Sequence, residues 1–260
     1  MKNWFGPKRF AGAMVIALTA PCMAEDSIAT STETIVVSAS ALTGVWKMNW
    51  PESGFIALLH HDAYWGPLRD HFCRIEQARS DMKVRCIGMG DWTGTVTVED
   101  GKIHIAWGTM LARLALDGIV QSATHFDGNF AIKLVGIEYD DPQIANGTKL
   151  TLSETLPDKA GKSALLGRVL DQMSKGPITE KVDAQSKNIW TAKPEELRPL
   201  GAVKSIIYLG EFTKLLDVKS DGSRQYEEPF SVYDVEFANG ERLCGLRQDA
   251  SGALQHFACI

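Results

Sequence analysis

Long apolar runs are missing from this chain. The longest near the start, Phe10 to Ala20, falls short of the roughly 20 residues a helix needs to cross a bilayer. Also missing are a glycine-rich phosphate loop, a Gly-x-Ser-x-Gly elbow and a His-Glu-x-x-His helix, the usual signatures of nucleotide binding, serine hydrolysis and zinc proteolysis. Cysteine is scarce, five in all, and no two stand at C-x-x-C spacing, which removes the usual zinc knuckle. Nor is there a basic excess: 27 Lys and Arg face 32 Asp and Glu. Such a balance argues against nucleic acid or an anionic membrane surface as the main partner.

What is present begins with an export signal. Lys2, Lys8 and Arg9 precede the short apolar run, and Cys22-Met23-Ala24 supplies small residues before Glu25. That order reads as a secretory signal peptide over residues 1–24, cleaved near Ala24, leaving no transmembrane segment in the mature chain. A lipoprotein reading of Cys22 competes, against Pro21 in the place where such signals want a small residue. Cleavage moves the formal net charge from −5 to about −8, as three basic residues leave. The predicted destination is the periplasm or the medium. Residues 25–40, rich in Ser, Thr and Ala, read as a flexible tether.

From Ala41 turn signals recur at short spacing. Runs over 42–48, 72–78, 82–89, 94–99, 102–107, 113–116, 119–124, 130–137 and 149–153 give about nine short strands in up-and-down order. Asp100-Gly101, Asp117-Gly118, Asp127-Gly128-Asn129 and Asn146-Gly147 serve as the expected turns. A meander of this length removes its exposed edges by closing, so an antiparallel barrel is predicted over residues 41–156. Cys73 and Cys86 flank a turn at Ala78 to Asp81, and Cys244 and Cys259 flank one at Asp249 to Gly252. Each pair is therefore expected to be a disulfide within its own hairpin, as an oxidising compartment permits.

The Gly44-x-Trp46 on the opening strand resembles the start of lipocalin-like barrels, and the resemblance covers Ala41 to Thr155. It implies a Trp that closes the barrel bottom and an interior that takes one small apolar ligand. The basic residue that packs on that Trp in the family is not placed by the sequence.

Past Pro157 the period switches to helical. Leu165, Leu166, Val169, Leu170 and Met173 form one face, Gly176-Pro177 ends it, a second helix is expected from Pro177 to Ile189, and a short turn spans Pro194 to Arg198. Strands return at Ala202 to Tyr208 and Tyr226 to Phe237. Asn239-Gly240 then marks a hairpin, with strands to either side of Asp249 to Gly252. Tyr233, Val235 and Phe237 alternate with Asp234 and Glu236, which predicts a half-buried strand. Helices followed by Gly201-Ala202-Val203-Lys204-Ser205, Tyr233-Asp234-Val235-Glu236-Phe237 and Asn239-Gly240 resemble the NTF2-like C-terminal domains of exported bacterial proteins over Leu165 to Ile260. The fold class implied is mainly β with α+β: a lipocalin-like antiparallel barrel, then an NTF2-like α+β domain over residues 160–260.

The segment richest in chemistry is Leu59 to His71, where His60, His61, Asp62, Tyr64, Trp65, Arg69, Asp70 and His71 gather. Neighbouring His60 and His61 point to different sides in most backbone conformations, so one ion does not readily hold both. His60, His61, Tyr64, Trp65 and His71 are expected to gate a barrel mouth and contact a ligand. His104 alternates with Ile103 and Ile105 and is expected to face solvent, while Trp92, Trp107 and Phe126 read as core. Tyr208, Tyr233 and Phe237 would line an NTF2-like cone, with no inward Asp–His pair to complete a catalytic site.

The function expected is a non-enzymatic, exported protein binding a small apolar or amphipathic molecule in the barrel, without a cofactor. A cell-envelope interaction module docking another protein is the first alternative. An NTF2-like isomerase or hydrolase, or a metal enzyme using His60, His61 and Asp62, is the second.

Overall fold

The computed structural model describes residues 37–49, 71–87, 93–108, 112–134, 143–152, 156, 158, 161–175, 194–213, 215–218, 221, 223–226 and 228–260. The expected signal peptide and most of the tether lie outside these, as does the helix expected from Pro177 to Ile189.

Eight strands close into an antiparallel barrel, each paired with its neighbours in sequence and the last with the first. They are β1 (Gly44–Asn49), β2 (His71–Ala78), β3 (Asp81–Cys86), β4 (Thr93–Glu99), β5 (Lys102–Gly108), β6 (Ala112–Ser122), β7 (His125–Leu134) and β8 (Gln143–Lys149). Eight rather than nine strands result because β6 runs straight through Asp117-Gly118. The Asp127-Gly128-Asn129 and Asn146-Gly147 sequences likewise lie inside β7 and β8. Glycine inside a strand marks a close approach rather than a turn. Gly118 faces Gly128 in register, and a β-carbon at Gly118 would crowd the Asp127 backbone.

Alternation sends every second side chain inward. Trp46, Met48, Ile75, Val84, Ile103, Ile105, Trp107, Leu114, Leu116, Phe126 and Phe130 belong to one buried apolar cluster, so side chains fill the barrel as eight strands allow. Large residues fit because small ones stand opposite: Gly147 leaves room for the Phe126 ring, and Gly94 for Trp107. A short 3-10 helix, Ala39–Leu42, caps one end. There Trp46 Nε1 donates to the Leu42 carbonyl at 2.7 Å. Lys149, opposite Trp46 in the β1–β8 register, donates from Nζ to the Ala41 carbonyl at 2.8 Å. A basic side chain therefore stands next to Trp46 at the capped end.

The C-terminal half has two helices among the described residues, α1 (Lys162–Lys175) and α2 (Pro194–Leu197), the latter running into a 3-10 turn, Arg198–Leu200. The strands are β9 (Val203–Phe212), a small β10 (Leu215–Val218) and β11 (Arg224–Tyr226) pair, β12 (Phe230–Phe237), β13 (Gly240–Gln248) and β14 (Leu254–Cys259). Four of them form an antiparallel sheet in the order β14-β13-β12-β9.

The helical face of α1 is the one the spacing predicts, burying Leu165, Leu166, Val169, Leu170 and Met173. It packs with Tyr233, Val235, Phe237, Leu246 and Phe257 of the sheet. The other face of the sheet meets the barrel, where Val45, Phe72 and Ile87 join Leu209, Phe230, Val232, Leu243 and Ala258 in a third apolar cluster. For this reason β12 is buried on both faces rather than half-buried: Asp234, expected to face water, is only 4% exposed.

Cys73 and Cys86 are directly opposite on β2 and β3, and Cys244 and Cys259 on β13 and β14. Both pairs are disulfide bonded, as the hairpin positions predict. Two such bonds suit an oxidising compartment.

Candidate functional site

The barrel has two unlike ends. Two-residue turns at 79–80, 100–101 and 123–124 lie at the end capped by the 3-10 helix. The longer connections, residues 50–70, 87–92, 109–111 and 135–142, all leave from the other. Loops carry function when a rigid scaffold holds their ends, which makes this second end the candidate site.

His71 stands there. Rather than closing a loop, it opens β2 opposite Met48. The alternation that puts Cys73 and Ile75 in the barrel cluster points His71 inward as well. Its side chain is nearly sealed, at 4% exposure. Burial holds its imidazole far below the ordinary value of 6.5, at about 3, because a charged ring would lose its hydration. At neutral pH His71 is therefore an uncharged polar group inside an apolar barrel. Around the same end lie Met48, the Cys73–Cys86 bridge, Trp107 and Leu114, the last two paired across β5 and β6. Gly94 is needed here, since a β-carbon would lie 2.7 Å from Trp107 Cδ1 and 2.8 Å from Val84 Cγ1.

Of the five expected ligand contacts, only His71 is among the described residues. His60, His61, Tyr64 and Trp65 lie outside them, on the connection that leads directly into His71. Asp62, needed by the metal-enzyme alternative, lies outside as well. Nothing in the sequence singles out Met48 and Leu114 as neighbours at this end, although the Ile103, Ile105, Trp107 alternation on β5 is the signal that points to the side chains meeting there.

The remaining histidines and tyrosines form separate groups. His104 is exposed, as expected, and its Nδ1 meets Asp117 Oδ1 at 2.5 Å. His125 reaches Asp127 at 3.2 Å and Thr148 at 3.3 Å on the same outer face. In the C-terminal half the Tyr233 and Tyr208 rings meet at a tilt of 52° with centroids 5.4 Å apart, and the Tyr233 hydroxyl lies 3.5 Å from Asp158 Oδ1. Burial, then Glu211 and Asp158, push the Tyr208 phenol up to about 12; burial, then Asp158, push Tyr233 up too. Both stay protonated and can donate. Asp158 Oδ2 accepts from the Ser163 N–H at 2.7 Å, at the start of α1. Lys162 Nζ donates to Ser231 Oγ at 3.2 Å, and Ser231 Oγ donates to Glu211 at 2.9 Å. These contacts fasten the first turn of α1 to the sheet. Asp158 is the acid the sequence did not identify beside the two tyrosines, since it precedes the helix by several residues and no local pattern marks it.

Comparisons with protein families, with curated proteins and with solved structures find no match to this chain. No helix among the described residues is long and apolar enough to cross a membrane.

Proposed function

We propose that this is an exported, non-enzymatic binding protein that takes a small apolar or amphipathic molecule at the long-loop end of its barrel. The observation that carries the reading is His71: a neutral imidazole pointing into an otherwise apolar interior, beside Met48, at the end from which every longer barrel connection leaves. Ligand sites of this kind are mostly apolar with a few placed polar groups that fix orientation. Below that layer the barrel is filled by Trp46, Phe126 and their neighbours, so the ligand is small and shallow rather than threaded to the capped end. The lipocalin-like resemblance is supported by the 3-10 cap, by Trp46 bonded to it and by Lys149 opposite Trp46, while the NTF2-like reading of the second half is supported by α1 lying on an antiparallel sheet.

Native mass spectrometry of protein purified from the exported fraction, without delipidation, tests the proposal, followed by titration with medium-chain fatty alcohols and a hydrophobic dye. Bound mass or saturable binding is expected. His71→Phe should weaken binding about 5–10-fold, the worth of one neutral hydrogen bond. An empty protein that takes up neither probe would overturn the reading.

A second reading, a module that docks an envelope protein, is favoured by Ile119 and Ile144. They are 58% and 74% exposed on strands β6 and β8 of one outer barrel face. Capture from envelope extract that is lost in an Ile119→Glu/Ile144→Glu double variant would support it; capture that is unchanged would remove its surface.

A further inference from the structure

The barrel strands sort their charges to one side. Lys47, Arg74, Lys83, Arg85, Asp117 and Asp127 each stand next in sequence to a residue of the interior cluster, so alternation turns them to the outer face. Among the described strand residues of the barrel, Lys149 is the one charged side chain on the inward side. It stands in register with Trp46 at the capped end, where its Nζ donates to the Ala41 carbonyl at 2.8 Å. The Trp46 and Phe126 rings, with centroids 5.3 Å apart, fill that end of the interior.

The long-loop end has polarity on its inner wall without charge. His71 is inward, opposite Met48, and 4% exposed. Trp107 is inward on β5 with its indole against Gly94, where a β-carbon would lie 2.7 Å from Nε1. A neutral imidazole has one donor and one acceptor nitrogen, and an indole has one donor. Burial keeps the His71 ring uncharged throughout the range from pH 6 upward.

We propose that the long-loop end selects amphipathic ligands by the charge of their polar end: it takes an uncharged oxygen-bearing group, a hydroxyl, ester or lactone, with that group buried beside His71, and rejects both carboxylates and ammonium groups. This rests on the binding function proposed above and narrows its ligand class. A neutral oxygen entering here exchanges a hydrogen bond to water for one to the imidazole. A carboxylate or an ammonium would lose its water with no opposite charge on the described inner wall to replace it.

The test uses the full mature chain at fixed ionic strength and four ligands built on one ten-carbon tail: 1-decanol, methyl decanoate, decanoate and decylamine, each titrated below its solubility limit and followed by tryptophan fluorescence and native mass spectrometry. At pH 7.5 the alcohol and the ester should bind alike, and decanoate and decylamine at least about tenfold more weakly, as an uncompensated buried charge requires. Between pH 7.5 and 6 the apparent affinity for decanoate should rise about tenfold per pH unit, as the protonated acid becomes available, while that for decanol stays constant. Decanoate or decylamine binding within about threefold of decanol at pH 7.5, or a decanoate affinity indifferent to pH, would overturn the selectivity and leave the binding function standing. Failure of all four to bind would remove the binding function and the selectivity with it.

Discussion

Arg74 of the barrel donates to Asp234 of the C-terminal sheet at 2.7 Å, with the two side chains 11% and 5% exposed. The pair lies where apolar side chains of both bodies meet, so each charge has given up most of its water. Burial raises the Asp234 carboxyl above the usual range even though Arg74 pulls it down. Desolvation therefore outweighs attraction, as is common for buried ion pairs.

The two halves of this pair should not cost the same to remove. Arg74→Met strands Asp234 without its counter-charge and is expected to destabilise by about 3–5 kcal/mol. Asp234→Asn leaves Arg74 with Glu241 and should cost clearly less. Replacing both with apolar residues should be nearly neutral. Urea unfolding of the two single variants and the double variant closes the cycle. Equal losses for both single variants would contradict the asymmetry.

His71 sets a pH dependence of opposite sense to Asp234. Its folded value, about 3, lies below the ordinary 6.5. The unfolded chain therefore takes the proton first, and stability present above pH 6.5 is lost as pH falls toward 3. By linkage the loss reaches about 2 kcal/mol at pH 5. A raised Asp234 works the other way, since the folded protein takes that proton first and gains stability on acidification. Unfolding curves at pH 7.5 and 5 should show a drop for the parent that is absent in His71→Phe. A drop of the same size in both would mean that His71 is not the group responsible.

Gly147 and Phe126 are a matched pair. A β-carbon at 147 would lie 2.2 Å from Phe126 Cε1 and Cζ, so Gly147→Ala should cost about 1–3 kcal/mol through overpacking of the barrel. Phe126→Leu alone loses ring packing against Trp46, whose centroid is 5.3 Å away, yet it should relieve most of the Gly147→Ala penalty when the two are combined. Strictly additive losses in thermal melts would show that the two do not share one space.

This pair also explains what the sequence could and could not reveal. Periodicity identified most of the barrel strands and the buried face of α1, because those depend on local alternation against a single core, but it set the last barrel strand at 149–153, whereas β8 is Gln143–Lys149; closure followed from the need to remove exposed edges. Asn146-Gly147, Asp117-Gly118 and Asp127-Gly128 misled as turns, since the glycine needed for tight reversal is also the residue needed where a ring or a neighbouring backbone comes close. The true β6–β7 turn at Ala123-Thr124 carries neither Gly nor Pro. Asp234 read as solvent-facing because nothing near it announces Arg74, 160 residues earlier. His71 was legible as a candidate by residue type alone; its inward direction required the register with Met48.

The two disulfides close loops with sequence separations of 13 and 15, so loop-closure entropy predicts nearly equal stabilisation, about 3 kcal/mol each. Packing predicts a difference in how the losses are felt. Cys73–Cys86 lies in the barrel cluster near His71, whereas Cys244–Cys259 lies under α1. Cys73→Ala/Cys86→Ala should therefore lower the melting temperature and weaken binding of the probes at the long-loop end. Cys244→Ala/Cys259→Ala should lower the melting temperature by a similar amount and leave that binding unchanged. Melting curves with dye titrations on both double variants decide the point: equal loss of binding in the two would show that the site senses overall stability rather than the barrel end, and would remove His71 and its neighbours as its lining.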